Sequence, residues 1–135
     1  MNDRRLRILI CEDDERLATL VNETLAPDGR FDVVGRATTG DEAVRLAEEH
    51  DPDVVLMDIG MPGLDGIDAT RAIREHKAGQ HVVIYTGSDE YGDIGRADAA
   101  GAVGFLHKEA LTSPDPPDAI QVLHTNYVSS RTDPE

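Results

Sequence analysis

Five short apolar runs, rich in β-branched residues, recur along the chain, and longer segments with helical spacing separate them. Each run is four to six residues long, which suits a buried strand better than a helix. The predicted strands are Leu6–Cys11, Asp32–Ala37, Asp53–Met57, His81–Tyr85 and Val103–Leu106. Strands that alternate with helices form βαβ units with right-handed crossovers. The sequence therefore predicts an α/β fold with a doubly wound parallel sheet that is covered on both faces.

The first two helices have recognisable ends. The first is predicted from Glu15 to about Ala26, where apolar residues recur at helical spacing before a Pro and Gly pair ends the helix. Its inner face is predicted to hold Leu17, Leu20, Val21 and Leu25. Asp14 is interpreted as its N-cap. The second helix begins with Thr39 and Glu42 at the spacing of a capping box, and it ends before Pro52.

Three further helices complete the predicted set of five. The third starts around Asp65 and ends before Gly79. The fourth is predicted over Ser88–Ala100, and two glycines inside it each cost about 1 kcal/mol relative to alanine. The fifth begins at Asp115, with Pro116 at the first helical position, where the missing N–H does no harm.

Charge and cysteine content narrow the class of protein. The chain has 27 acidic and 13 basic residues, a formal charge of −14, which argues against direct binding to nucleic acid or to an anionic membrane because both need clustered positive charge. No apolar run approaches the roughly 18 residues that a membrane span needs. The single cysteine, Cys11, excludes an internal disulfide and favours a reducing compartment. We therefore expect a cytoplasmic protein.

Polar side chains follow four of the five predicted strands. In an open α/β sheet, ligands bind in the crevice outside the carboxyl ends of the strands. The residues at these ends are Glu12, Asp13 and Asp14 after the first strand, Asp58 after the third, Thr86 after the fourth, and His107 and Lys108 after the fifth. Carboxylates, a hydroxyl and an ammonium are thus predicted to converge on one edge of the sheet.

Clustered carboxylates have a characteristic chemistry. Two of them about 4 Å apart repel by about 4 kcal/mol at an effective dielectric constant near 20, so a cluster takes up protons or binds a cation. All-oxygen ligands favour Mg²⁺, Mn²⁺ or Ca²⁺, and a sparse site suits Mg²⁺. A bound Mg²⁺, an ammonium and a hydroxyl make a place for a phosphoryl group. Asp58 lies among them as a candidate nucleophile, because carboxylates form acyl phosphates.

Four segments at the strand ends carry a family resemblance. They are Ile8–Asp14, Val54–Gly66, Ile84–Gly87 and Gly101–Lys108. In this order they resemble the receiver domain of bacterial two-component response regulators, over about residues 6–127. The resemblance implies a flavodoxin-like five-stranded sheet of order 2-1-3-4-5 with five helices. It also implies a receiver domain over residues 1–128. Residues 129–135 are polar and include a proline, which predicts a flexible tail or the start of a linker.

The resemblance implies a role for each acidic residue of the site. Asp58 is implied as the phospho-acceptor, and Glu12 and Asp13 as the acidic pair, of which Asp13 is the direct Mg²⁺ ligand. Asp58 itself and the backbone carbonyl of Gly60 are implied as further ligands. The implied cofactor is Mg²⁺, with Mn²⁺ as the alternative ion.

A second group of residues is implied to sense the phosphoryl group. Thr86 is implied as the switch hydroxyl, Lys108 as the ammonium that pairs with the phosphoryl group, and Phe105 as the switch aromatic. Two residues depart from the family pattern: Glu109 stands where many receivers have proline, and Gly87 stands where alanine or serine is common. These departures concern the output face.

The implied partners follow from the same resemblance. A sensor histidine kinase or a phosphotransfer protein would supply the phosphoryl group, and a downstream protein or an output domain outside this chain would read it. A homodimer through helix 4, strand 5 and helix 5 is a further expectation, whereas direct nucleic-acid and membrane contacts are not expected. We expect autodephosphorylation but no turnover of a separate substrate.

Other interpretations of the same residues stay open at this point. Taken singly, Asp58 is as readily a helix cap, and Lys108 an ordinary surface lysine. A receiver-like interaction module that works without phosphate is the first alternative function. A Mg²⁺-dependent phosphohydrolase is the second, although such enzymes usually carry an acid/base residue two positions after the nucleophile, where this chain has Gly60.

Overall fold

A computed structural model of the chain places five parallel strands in one sheet of order β2-β1-β3-β4-β5. The structure describes residues 5–27, 29–61, 63–86, 96, 99–101 and 104–107, with the backbone alone for residues 86 and 104–107. The strands are β1 (Leu6–Cys11), β2 (Phe31–Ala37), β3 (Val54–Asp58), β4 (His81–Thr86) and β5 (Gly104–His107). The helices given bounds are α1 (Glu15–Leu25), α2 (Gly40–His50) and α3 (Gly66–His76). The predicted parallel sheet and its strand order are confirmed.

Two helices predicted from the sequence lie wholly or largely outside the described residues. Of the predicted fourth helix, residues 96, 99 and 100 are described, and all three are helical. The predicted fifth helix, from Asp115 onward, falls entirely outside. Within the described part of the chain, each helix is too short or too polar to span a bilayer.

The sheet separates two hydrophobic cores, because side chains along each strand point alternately to opposite faces. On one face α2 and α3 contribute to a core that also contains Leu9, Cys11, Val55, Met57, Val82 and Ile84. On the other face α1 contributes Val21 and Leu25 to a core that also contains Ile8, Ile10, Phe31, Leu56, Val83 and Tyr85. Strands buried on both faces explain why the sequence shows continuous apolar runs rather than alternation.

The inner face of α1 differs from the prediction at one position. Ala18, Val21 and Leu25 are buried, whereas Leu20 is 42% exposed, so its placement on the inner face was wrong. Ala18, Val21 and Leu25 follow the i, i+3, i+7 spacing of one helical stripe. Leu20 directly precedes Val21, and a rotation of about 100° per residue turns its side chain away from the sheet.

Short polar side chains precede each of the three helices that have bounds in the described part of the chain. Asp14 accepts hydrogen bonds from the N–H groups of Arg16 (2.9 Å) and Leu17 (3.3 Å), and Asp65 caps α3 in the same way through Asp68 (2.9 Å). The cap predicted at Asp14 and the predicted start of the third helix around Asp65 are therefore confirmed.

The start of α2 departs from a standard capping box. Thr39 Oγ1 accepts the Glu42 N–H at 3.1 Å, as predicted. The reciprocal bond is shifted by one residue, because Glu42 Oε1 accepts the backbone N–H of Thr38 (2.8 Å) and its hydroxyl (3.1 Å). These hydrogen bonds lower the pKa of the Glu42 carboxyl. The reciprocal half of the predicted box is therefore corrected to Thr38.

Removing the α1 cap should weaken the fold measurably. Asp14→Ala is expected to lower the free energy of unfolding by about 1 kcal/mol, because two N–H groups of the first turn lose their acceptor. Urea unfolding followed by circular dichroism measures this change. Asp14→Asn is the matched control, since asparagine also caps helices and should retain most of the stability. An equal loss in both variants would contradict the capping role.

Candidate functional site

Three carboxylates meet at the carboxyl ends of β1 and β3. Oxygens of Glu12, Asp13 and Asp58 all lie within 4.8 Å of one another. Glu12 is 1% exposed and Asp58 is 5% exposed, whereas Asp13 is exposed to solvent. The cluster is thus reached from the solvent at Asp13, and its other two carboxylates are held in the protein.

Strand geometry places the two buried carboxylates on the same face of the sheet. Ile8 and Ile10 point into the core beneath α1, and Glu12 continues their alternation just beyond β1. Asp58, the last residue of β3, continues the alternation of Val54 and Leu56 along that strand. Asp58 was expected directly after the strand. It lies inside it because its backbone pairs with Tyr85 of β4.

Glu12 is held through both of its oxygens. Tyr85 donates its phenolic hydrogen to Glu12 Oε1 at 2.9 Å. The backbone N–H of Asp14 donates to Glu12 Oε2 at 3.0 Å. A buried carboxylate is costly unless hydrogen-bond donors replace its lost hydration. These two donors account for a carboxylate at a position that is almost fully buried.

Tyr85 is a residue of the site that was not predicted from the sequence. Its ring lies in the core beneath α1, and burial, followed by the negative charge of Glu12, raises the pKa of its phenol far above the usual range. The phenol therefore keeps its proton and acts as a donor. One sequence signal was available: Val83 and Tyr85 alternate on β4 as Leu56 and Asp58 do on β3.

Arg36, which was also not predicted as a site residue, binds the backbone of the acidic loop, residues 12–14. Near the end of β2, its Nε donates to the Glu12 carbonyl at 3.1 Å and its Nη2 to the Asp13 carbonyl at 3.3 Å. Nothing in the local sequence pattern distinguishes Arg36 from a surface arginine. Its role depends on β2 lying next to β1.

Cys11 is the last residue of β1 and directly precedes the acidic residues Glu12 and Asp13. It is fully buried in the core beneath α2 and α3. Burial, together with the charges of Glu42 and Asp58, raises the pKa of its thiol well above the usual range. Because the thiolate is the reactive form of cysteine, this shift favours the unreactive, protonated thiol.

The turn after β3 continues the site. The Gly60 N–H donates to Asp58 Oδ1 at 3.3 Å, and the Gly66 N–H closes the loop by donating to the Ile59 carbonyl at 3.0 Å. Gly60 itself is exposed. Its carbonyl therefore belongs to a turn that is folded back on the carboxylate of Asp58.

The remaining residues predicted for the site lie on β4, on β5 and beyond. Thr86 is the last residue of β4, and its backbone pairs with His107 of β5. Phe105 lies on β5 opposite Ile84. Lys108 falls outside the described residues. Thr86 thus lies at the same edge of the sheet as Asp58 and directly follows Tyr85 on β4.

The acidic cluster has a composition that fits Mg²⁺. All its side-chain donors are hard carboxylate oxygens, which Mg²⁺ prefers, and among the described residues no sulfur or imidazole ligand belongs to the cluster. Oxygens on opposite sides of one Mg²⁺ lie about 4 Å apart, close to the 4.8 Å limit that encloses the carboxylate oxygens here. A cation at this position would offset the mutual repulsion of the three carboxylates.

Comparisons with known proteins match most of the chain. A family model described as the response regulator receiver domain matches residues 8–114. The chain is 38% identical over 119 residues to the chemotaxis protein CheY of Halobacterium salinarum, which covers 88% of this chain and 97% of that protein. It is 34% identical over 125 residues to the nitrate/nitrite response regulator NarL of Escherichia coli, which covers 91% of this chain but only 55% of the relative.

A solved structure matches the fold as well. The signal receiver domain of a NarL response regulator from Mycobacterium tuberculosis superimposes with a TM-score of 0.81 at 31% identity, over 90% of this chain and 96% of that one. The chain therefore spans almost all of a receiver domain and about half the length of a relative such as NarL of Escherichia coli.

Proposed function

This chain belongs to the response regulator receiver domain family, and we propose that Asp58 is the residue on which it accepts a phosphoryl group. The observation that carries the proposal is the position of Asp58. It is a buried carboxylate at the carboxyl end of a central strand, with oxygens of Glu12 and Asp13 within 4.8 Å. As a receiver domain, the protein is a phospho-accepting module of two-component signalling and not an enzyme that turns over a separate substrate.

The proposed reaction is an in-line transfer. A carboxylate oxygen of Asp58 attacks the phosphorus of a phosphohistidine or of a small acyl phosphate. The bond from phosphorus to the donor nitrogen or oxygen breaks, and the donor keeps that electron pair. Burial of Asp58 limits access of water to the acyl phosphate, and the Gly60 N–H at 3.3 Å orients its carboxylate.

Receiver domains bind Mg²⁺ at their acidic site, and we propose which residues of this chain would hold it. Asp13, Asp58 and the carbonyl of Gly60 would bind the ion directly, and Glu12 would complete the negative surroundings. When bound, Mg²⁺ supplies positive charge to the phosphoryl oxygens. Mn²⁺ is the alternative ion, because it accepts the same oxygen ligands.

The response to phosphorylation is proposed to involve Thr86, Lys108 and Phe105. A phosphoryl group on Asp58 adds negative charge and strong hydrogen-bond acceptors. Thr86 ends β4 and Lys108 follows β5 in the sequence, and the carboxyl ends of both strands lie at the edge of the sheet that carries Asp58. Their movement toward the phosphoryl group would reposition Phe105 and alter the surface around β5.

Partners are proposed from the same chemistry. A sensor histidine kinase or a phosphotransfer protein would donate the phosphoryl group, and a downstream protein or an output domain would bind the altered surface. We also propose that phosphorylation promotes a homodimer through helix 4, β5 and helix 5. The charge of −14 disfavours direct contact with nucleic acid, and the single cysteine supports a cytoplasmic location.

The two alternative functions are less well supported. A receiver-like module that works without phosphate would not need the cluster of Glu12, Asp13 and Asp58. A phosphohydrolase would need a second acid/base side chain near the nucleophile, and Gly60 occupies the position two residues after Asp58.

Mg²⁺ should stabilise the protein through the acidic cluster. We expect the midpoint of thermal unfolding to rise with Mg²⁺ concentration, because a ligand of the folded state adds about 2.7 kcal/mol at a hundred times its Kd. Beryllofluoride added with Mg²⁺ should raise the midpoint further. Differential scanning fluorimetry over a Mg²⁺ titration measures both effects.

Two charge-matched variants assign this effect to the site. Asp13→Asn should lose most of the Mg²⁺-dependent rise, because it removes an exposed carboxylate of the cluster. Asp32→Asn removes the same charge from an exposed position on β2 and should respond as wild type does. A wild-type midpoint that does not change with Mg²⁺, or an equal response of both variants, would contradict the proposed ligands.

A further inference from the structure

Tyr85 occupies an unusual position for a tyrosine in a buried strand. Its side chain is fully buried among the apolar residues of the core beneath α1, yet its hydroxyl reaches Glu12 at the edge of the acidic cluster. A buried phenol usually needs a hydrogen-bond partner. Here that partner is one of the three carboxylates that lie within 4.8 Å of one another.

The phenol and the backbone together define the orientation of the Glu12 carboxylate. Tyr85 binds Oε1 at 2.9 Å, and the Asp14 N–H binds Oε2 at 3.0 Å. Donors on both oxygens fix the plane of a carboxylate, which a single donor leaves free to rotate. The tyrosine ring is itself held by close packing on β4, so the donor is rigid.

A fixed carboxylate offers a cation fewer ways of binding than a mobile one. Mg²⁺ requires near-ideal octahedral geometry and takes one or two carboxylates, whereas Ca²⁺ accepts six to eight oxygens and readily uses both oxygens of one carboxylate. A Glu12 carboxylate released from Tyr85 could turn both oxygens toward an ion. The hydrogen bond between Tyr85 and Glu12 therefore acts against the coordination that favours Ca²⁺.

We propose that Tyr85 is a positioning residue that acts through Glu12 and sets the preference of the acidic cluster for Mg²⁺ over Ca²⁺. The inference rests on the proposed function, since it assumes that the cluster binds Mg²⁺. It adds a residue of the core that does not touch the ion. Such outer partners orient the groups around a metal, and their loss typically weakens binding by about 10- to 100-fold.

The test is Tyr85→Phe, which removes only the hydroxyl. Isothermal titration calorimetry with Mg²⁺ and with Ca²⁺ measures both affinities on the whole chain. We expect the Mg²⁺ affinity to fall about tenfold and the Ca²⁺ affinity to fall less, so that the ratio of the two affinities shifts toward Ca²⁺. Ile84→Val is the matched control: it trims the neighbouring buried residue of β4 on the opposite face and should leave the ratio unchanged.

A purely structural role would give a different result. If Tyr85→Phe lowers the unfolding midpoint but weakens Mg²⁺ and Ca²⁺ equally, as a general loss of rigidity would, the proposal is overturned. Glu12→Gln supplies a second check, which is compared with the ratio of Tyr85→Phe. Glu12→Gln should shift the ratio toward Ca²⁺ less than Tyr85→Phe does, because it removes the charge that a released carboxylate would offer.

The variant that combines Tyr85→Phe with Glu12→Gln completes a double-mutant cycle. Adding Tyr85→Phe to Glu12→Gln should change the ratio little further, since the tyrosine acts through that carboxylate, and a full additional shift would overturn the proposal. A wild-type protein that binds neither ion and is not phosphorylated would instead refute the proposed function. A wild type that binds Mg²⁺ while Tyr85→Phe keeps the same ratio would refute the role of Tyr85 alone.

Discussion

Asp58→Asn is expected to abolish phosphorylation of this protein by acetyl phosphate in the presence of Mg²⁺. The amide of asparagine cannot act as the attacking carboxylate, so no acyl phosphate forms. The substitution preserves the shape of the side chain and the oxygen that accepts the Gly60 N–H, so the fold should persist. Mass spectrometry of the intact protein after incubation measures the added phosphoryl group directly.

The control for this loss is a second aspartate of the same charge in another place. Asp32→Asn lies on β2 and is exposed, so it should be phosphorylated as completely as wild type. Circular dichroism of both variants verifies that they are folded. Equal phosphorylation of wild type and Asp58→Asn would exclude Asp58 as the acceptor, and a phosphoryl group mapped to another residue would reassign the site.

Gly66→Ala is expected to destabilise the fold by about 3 kcal/mol, the upper part of the range for overpacking a buried position. A Cβ atom at Gly66 would lie 2.2 Å from the Asp58 carbonyl oxygen and 2.9 Å from the Ile59 Cα. Both neighbours are backbone atoms, so they cannot move aside as the end of a flexible side chain can. Urea unfolding measures the loss of stability.

The same clash should affect function, because the backbone that must shift carries Asp58. Gly66→Ala is therefore expected to weaken Mg²⁺ binding and slow phosphorylation under conditions in which the variant is still folded. Gly79→Ala is the matched control: its Cβ would meet no atom within 4 Å, and the change in stability should stay within about 0.5 kcal/mol. A Gly66→Ala variant as stable as Gly79→Ala would contradict the close approach of α3 to the acceptor.

A second glycine tightens the same loop from the other side. A Cβ at Gly40, the first residue of α2, would lie 1.7 Å from the Leu64 carbonyl oxygen. The start of α2 therefore packs against the loop between β3 and α3 at Leu64, and the start of α3 packs against Asp58 and Ile59, where this loop begins. This packing requires glycine at both helix starts and explains how a loop near the surface can hold Asp58 in place.

Local patterns predicted the strands well because the apolar runs are short, β-branched and bounded by polar residues. The bounds of β1 were predicted to the residue, and those of the other strands to within one residue at each end. The start of β3 moved from Asp53 to Val54 because the Asp53 carboxylate accepts the Arg7 N–H from β1. A hydrogen bond between the backbone of one strand and a side chain next to another strand has no signature in either segment alone.

The acidic residues of the site were recognisable for a similar reason. Glu12, Asp13 and Asp58 directly follow apolar runs in the sequence, and the carboxyl ends of parallel strands share one edge of a sheet. Tyr85 and Arg36 were not recognised, because each binds a residue that follows a different strand. The sequence does not show which side chains come within hydrogen-bond distance. A tyrosine in an apolar run predicts a core residue, and only the separation of 2.9 Å from Glu12 reveals its second role.

The sequence by itself determined the fold class, the strand positions and the identity of the carboxylates, because periodicity and composition are local and repeat along the chain. Tertiary structure alone decided that Leu20 faces solvent and that the Glu42 carboxylate accepts the Thr38 N–H. It also decided that Tyr85 and Arg36 hold the acidic loop. These features depend on hydrogen bonds and contacts whose geometry is set by packing to within a few tenths of an ångström. Composition establishes which groups a site contains, whereas packing establishes how each group is oriented.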